Sequence, residues 1–149
     1  MNKEVLVTIQ GLQFEERKEA ESIETISRGT YYKRNGNHYV LFEEAFDEGG
    51  ETVQNILKFN DKEMQLTKKG PLNTSMLFEK NRKNIANYNT PYGAMQIGID
   101  ARDLSIMEEK EKISVDVDYA MDINYEYLAD CKISVVIESI ENKEEQNLL

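Results

Sequence analysis

SVDVDYAMDINYEY, residues 114–127, alternates apolar and polar side chains without a break. Val115, Val117, Tyr119, Met121, Ile123, Tyr125 and Tyr127 fall on one side, and Ser114, Asp116, Asp118, Ala120, Asp122, Asn124 and Glu126 on the other. A period of two belongs to a β-strand, whose successive side chains point to opposite faces. On a helix, with its period of 3.6, the same apolar residues would be scattered around the axis. The stretch therefore predicts one long strand with an oily face and an acidic face, the oily one turned inward. Val5–Val7–Ile9 and Ile133–Val135–Ile137 repeat the pattern near both ends of the chain.

Turn chemistry divides the rest into short units. Asn35-Gly36 stands between YYKR and HYVLFEE, and both residues tolerate positive φ, as a two-residue hairpin turn requires. Asp47-Glu48-Gly49-Gly50, Asn60-Asp61-Lys62 and Gly70-Pro71 separate further apolar stretches. Lys80–Asn84 and Glu108–Lys112 read as charged tips. Strands are predicted over 4–14, 21–33, 38–46, 51–59, 63–69, 74–79, 85–89, 93–106 and 113–140, the last segment holding two strands around Glu126–Asp130. Short links between many consecutive strands predict an all-β fold, an antiparallel up-and-down barrel of eight to ten strands with little helix. Closure would remove the edges that invite aggregation. Residues 1–149 are expected to form a single domain, with a charged link over Glu15–Ser22 and a frayed tail over 141–149.

Composition excludes several function classes. The formal net charge is −10, which opposes general binding to phosphate backbones and argues against a nucleic-acid partner. No segment approaches the run of about 18 apolar residues needed for a membrane helix, so no membrane association is expected. The N-terminal MNKEVLVTIQ alternates instead of forming the continuous apolar run of a signal peptide. A single cysteine, Cys131, cannot form an internal disulfide, which points to a reducing, cytoplasmic location.

The chemistry-bearing residues are sparse. One histidine and one cysteine cannot build a Cys/His zinc site. His38, just past the hairpin turn, is expected to be exposed and without catalytic role, and Cys131 to be a small buried apolar group. Asp116, Asp118 and Asp122 match positions 1, 3 and 7 of a calcium loop. Position 6, however, is Met121 where glycine is required, and position 12 is Tyr127 where a glutamate is required. They are expected on a solvated outer face. Lys58 to Lys83 holds seven basic residues against three acids, +4 in a chain of −10, and is read as hairpin tips paired with acidic neighbours. Pro91 fixes its own φ, biases Thr90 toward extended backbone and precedes Gly93, so Thr90–Gly93 predicts a sharp corner at one rim.

GTYYKRNGNHYVLFEE, KKGPLNTSMLFEK, YNTPYGAMQIGIDARDL and VDYAMDINYEYLADCKISVVI together resemble the YwiB-like proteins, small bacterial proteins of unknown function. The resemblance runs over roughly residues 4–140. It implies a calycin-like, lipocalin-like barrel in a bacterial cytoplasm and supplies no catalytic residues. The Gly-x-Trp signature of secreted lipocalins is absent, since the chain has no tryptophan.

The function expected on this footing is a non-catalytic module binding a small molecule in the barrel interior or mouth. The residues expected to line it are Tyr88, Thr90 and Tyr92 at the corner, with Met76, Phe78 and Tyr119 pointing inward. No catalytic residue, metal ligand or cofactor is assigned. The alternatives are an interaction protein acting through its surface, as monomer or homodimer, and an enzyme using carboxylates, with Glu43 or Glu44 set against Lys58 or Lys69 inside the barrel.

Overall fold

The computed structural model describes residues 3–14, 21–45, 49–70, 73–91 and 93–140. Ten strands follow one another: β1 (Lys3–Phe14), β2 (Glu21–Arg34), β3 (Asn37–Ala45), β4 (Thr52–Phe59), β5 (Glu63–Lys69), β6 (Thr74–Glu79), β7 (Arg82–Thr90), β8 (Gly93–Glu109), β9 (Lys112–Ile123) and β10 (Glu126–Ser139). They join in one antiparallel sheet in the order β6-β5-β4-β3-β2-β1-β10-β9-β8-β7. The sheet curls until its edge strands, β6 and β7, lie side by side, which makes a nearly closed up-and-down barrel. Of the expected charged link, residues 15–20 lie outside the described residues, as do the C-terminal 141–149.

The barrel closes where the chain ends meet, through the β1–β10 ladder from Val5↔Ser139 to Phe14↔Asp130. The seam falls instead between two consecutive strands. β6 and β7 are joined by only Lys80 and Asn81, a link short enough for a hairpin, yet they form no ladder. The backbone N–H of Lys80 donates to Lys62 O at 3.0 Å and that of Asn81 to Ala101 O at 2.8 Å. Each linker amide is thus tied to a different side of the seam, which holds the two strands apart.

Inward side chains stack in rows set by strand register. Across β3–β6, the lowest row is His38, Phe59, Met64 and Phe78, and the next is Val40, Leu57, Leu66 and Met76. The facing wall contributes Val5, Val7, Ile99, Leu104, Val115, Val117, Val135 and Ile137 to the same buried cluster. Each fully buried side chain of this size contributes about 1.5–3 kcal/mol of transfer free energy, so these rows carry the stability. The oily face of residues 114–123 is therefore inside, as the alternation predicts.

The structure corrects two sequence expectations about the strands and adds a bulge. The alternation of 114–127 does not run through one strand: β9 stops at Ile123 and the chain reverses at Asn124 and Tyr125, whose φ values are 49° and 69°. Asn124 holds the turn by exchanging hydrogen bonds with the Gln96 backbone, at 2.8 and 3.0 Å. Tyr125 and Tyr127 consequently point out to solvent. Lys80–Asn84 is not a loop, because β7 begins at Arg82. A bulge between Ala101 and Asp103 shifts the phase of β8, so that Leu104, not Asp103, returns to the core.

Candidate functional site

The third inward row breaks the apolar pattern. Phe42 is paired with Asn55, Asn55 with Lys68, and Lys68 with Thr74 across β3, β4, β5 and β6. Glu44 lies one inward position beyond Phe42 on β3, and Tyr88 of β7 hydrogen-bonds to Thr74 across the seam. Glu44, Asn55, Lys68, Thr74 and Tyr88 thus form a polar arc around half of the barrel, at the end that also carries the 90–93 turn.

Of the fully buried side-chain nitrogen and oxygen atoms in the arc, one has no hydrogen-bond partner. Lys68 Nζ donates to Glu44 Oε1, and Asn55 Nδ2 donates to the same oxygen at 3.1 Å. An ionised carboxylate only accepts, which fixes the orientation of the Asn55 amide. Its Oδ1 is then buried with no hydrogen-bond partner, in a residue only 1% exposed. Leaving such an acceptor unpaired costs about 1–3 kcal/mol, a cost that packing alone would not retain. Burial pushes the Glu44 carboxyl up, but the hydrogen bonds from Lys68 and Asn55 outweigh burial and leave it below the usual carboxylate range. It is a charged group at neutral pH, not a proton donor poised near neutrality. The interior ion pair is Glu44–Lys68; Glu43 is exposed and bonded to Gln54, Lys58 lies over the outer Tyr39 ring, and Lys69 is exposed.

Of the residues expected at a ligand site, Tyr88 belongs to the arc and Met76 to the row below it, whereas Phe78 lies two rows away in the row of His38. Phe78 and Tyr119 meet edge to face, with centroids 4.9 Å apart and planes at 69°. Met76 and Tyr119 are half-buried against the core, and Phe78 is wholly within it. Burial is also the main cause that raises the Tyr88 and Tyr119 hydroxyl pKa values, so both stay neutral donors. The Tyr119 hydroxyl bonds to Cys131, whose thiol is pushed up by its own burial. Thr90 ends β7, its backbone paired with Gly93; Tyr92 lies outside the described residues.

His38 departs most from expectation. It is 5% exposed, not a surface residue, and its ring stacks on Phe59 at 4.7 Å. Its position after the turn does not expose it, because His38, Val40 and Phe42 share the inward phase of β3. The outer carboxylates behave more as expected: Asp118 is exposed, Asp116 accepts from Ser134 at 2.6 Å, and Asp122 pairs with Lys83 at 2.6 Å. In the basic segment, Lys80 and Arg82 pair with Asp103 and Glu79, whereas Lys68 points inward. Among the described residues, no group of three His, Cys, Asp or Glu side chains is placed to hold a metal ion, and no helix is long and apolar enough to cross a membrane.

The polar arc was within reach of sequence reasoning that missed it. Asn55 interrupts the inward series Val53, Leu57, Phe59; Lys68 ends Met64, Leu66; and Glu44 follows Val40, Phe42. A polar residue at an inward phase was the signal in all three strands.

The family described as a domain of unknown function, DUF1934, matches residues 7–135. Among solved structures, the crystal structure of the ywiB protein from Bacillus subtilis superposes with a TM-score of 0.79 at 18% sequence identity, covering 93% of this chain and 92% of that one. At that identity the likeness speaks for the fold. No curated protein matches the chain. The chain belongs to the DUF1934 family.

Proposed function

We propose that this DUF1934 protein is a non-catalytic, calycin-like carrier or sensor that holds a small polar-headed molecule in the upper half of its barrel, working in the cytoplasm. The observation that carries the proposal is the polar arc, above all the unpartnered Asn55 Oδ1 beside the Glu44–Lys68 pair. A ligand head offering an N–H or O–H to Asn55, and an acceptor to the remaining ammonium hydrogens of Lys68, would satisfy what the protein leaves open. Met76, Tyr88 and Tyr119 would flank its less polar body. A polar upper row above a packed apolar base suits a barrel that admits one small ligand head. The charged state of Glu44 favours binding over acid–base catalysis. The lone Cys131, buried and reduced, supports the cytoplasmic assignment.

Native mass spectrometry of protein purified from its own source tests this. A bound mass of small-molecule size, lost in Lys68→Met and in Asn55→Leu, is the expected result. Absence of any bound species, together with no thermal shift across a metabolite library, would overturn it.

A further inference from the structure

A second constellation occupies the opposite end of the barrel. His38 Nδ1 and Tyr31 Oη are 2.8 Å apart, and His38 Nε2 lies 2.9 Å from Glu108 Oε1. Tyr31 and His38 come from β2 and β3, whereas Glu108 comes from β8 on the facing wall, so the chain of bonds crosses the barrel floor. Tyr31 and Glu108 border a groove of about 280 Å³ whose apolar base is Val5, Ile113 and Ile137. Two lysines on its margin, Lys33 and Lys112, have no ion-pair partner among the described residues, whereas Lys3 is engaged with Glu111 at 2.9 Å.

We propose that this groove is a second ligand site, separate from the polar arc, that takes a small organic anion together with one proton on His38. The coupling follows from hydrogen-bond direction. Glu108 can only accept, so neutral His38 carries its hydrogen on Nε2 and must accept the Tyr31 O–H at Nδ1. In that state the Tyr31 oxygen offers the groove only lone pairs, which repel an anion. When His38 gains a proton, Nδ1–H donates to Tyr31 Oη and the phenolic hydrogen turns toward the groove. Tyr31 then becomes a donor beside the two free ammonium groups. Glu108 keeps its bond in both states.

The surrounding charges are consistent with a site that is empty of protons until a ligand arrives. Burial holds His38 below the ordinary histidine range, Glu108 draws it up and Lys33 pushes it down. Asp61 borders the histidine from the β4–β5 turn, and Glu109, Glu111 and Lys112 stand across the groove around the β8–β9 turn. An anion seated at Lys33 and Lys112 would offset Lys33 and favour imidazolium. By reciprocity of linked equilibria, protonation must favour the anion to the same degree.

The sole histidine makes the test direct. In untagged protein, the imidazole carbon-bound proton resonances are followed between pH 5.5 and 8, with benzoate as carboxylate probe and sulfate as phosphate-like probe. Sodium chloride at matched ionic strength is the control. Saturating benzoate or sulfate should raise the His38 pKa by about one unit, a roughly tenfold preference of the protonated form for the anion. Whichever probe gives the larger shift identifies the anion class. Tyr31→Phe should abolish the shift, and Lys33→Ala, an exposed change that spares the fold, should weaken binding. A pKa that moves no more than in chloride, or a shift that survives in Tyr31→Phe, overturns the proposal.

Discussion

Asn55→Leu separates a functional polar arc from a structural one by the sign of its effect on stability. Asn55 is 1% exposed, and leucine has its branching but a larger volume, which an arc that admits a ligand has room to take up. Removing the unpaired Oδ1 recovers about 1–3 kcal/mol, and burying leucine atoms in place of an amide contributes about 1 kcal/mol more. Against this, Glu44 loses the hydrogen bond from Nδ2, worth about 1.5–3 kcal/mol for a charged acceptor. That loss sits at the low end, because Glu44 keeps Lys68 and its side chain is 25% exposed to water. The balance is a gain of about 1–2 kcal/mol, or a rise in Tm of about 3–6 °C for a chain of this length. Thermal and urea unfolding followed by far-UV circular dichroism measure it, and binding of any ligand found at the arc should fall at least tenfold in the same variant. A variant that melts below the parent would refute the reasoning: Asn55 would then be holding the barrel together, and the arc would be a scaffold, not a site.

Other perturbations read different parts of the molecule. Gly93→Val should destabilise by about 1–3 kcal/mol through backbone strain alone, since φ is +122° and an added Cβ meets nothing within 4 Å; urea midpoints check this, and unchanged stability would mean the corner relaxes freely. Gly29→Ala should cost stability for the opposite reason, a Cβ only 2.7 Å from the Leu41 carbonyl oxygen, and should show as a lowered Tm beside a harmless Gly36→Asn control. Phe78→Ala, at a site 1% exposed with its ring against Tyr119, should lose about 3–5 kcal/mol in the same assay. His38, whose pKa lies below its unfolded value, binds fewer protons folded than unfolded, so stability should rise with pH from the depressed pKa up to about 6.5. His38→Phe should flatten that segment of the stability–pH curve. The depressed Glu44 carboxyl acts with the same sign at lower pH, its contribution being lost as pH falls below about 4.5.

The strands were legible because a barrel enforces its period on every element, and turns such as Asn35-Gly36 declare themselves by residue type. Errors arose where a backbone feature carries no residue signature. Tyr125 at φ 69° extends the apolar alternation in writing while reversing the chain in space. Arg102 sits at a bulge that shifts the phase of β8, so nothing in the sequence announced that Glu108 would swing under the floor to meet His38. The barrel seam was illegible for a similar reason. A two-residue link ordinarily makes a hairpin, and only the tertiary bonds of Lys80 and Asn81 prevent one.

The two candidate sites differ in a way that follows from where stability resides. The row of Val40, Leu57, Leu66 and Met76 is apolar and interlocked, so neither site can tolerate a charge there; polar groups survive only in the rows above and below it. At the lower end, His38 keeps both ring nitrogens satisfied by Tyr31 and Glu108, so its burial needs no ligand. At the upper end, Asn55 leaves an acceptor open beside a charged pair, and the protein alone does not close it. The first is a group whose hydrogen-bond direction can invert at little structural cost, which suits regulation by protons and anions. The second is an unfilled valence in a place where an unfilled valence destabilises, which suits a site that waits for a specific molecule. If both readings hold, losing the ligand at the arc should leave the His38 titration unchanged, because the row between them is apolar and Tyr119, which reaches Phe78, is kept neutral by its burial.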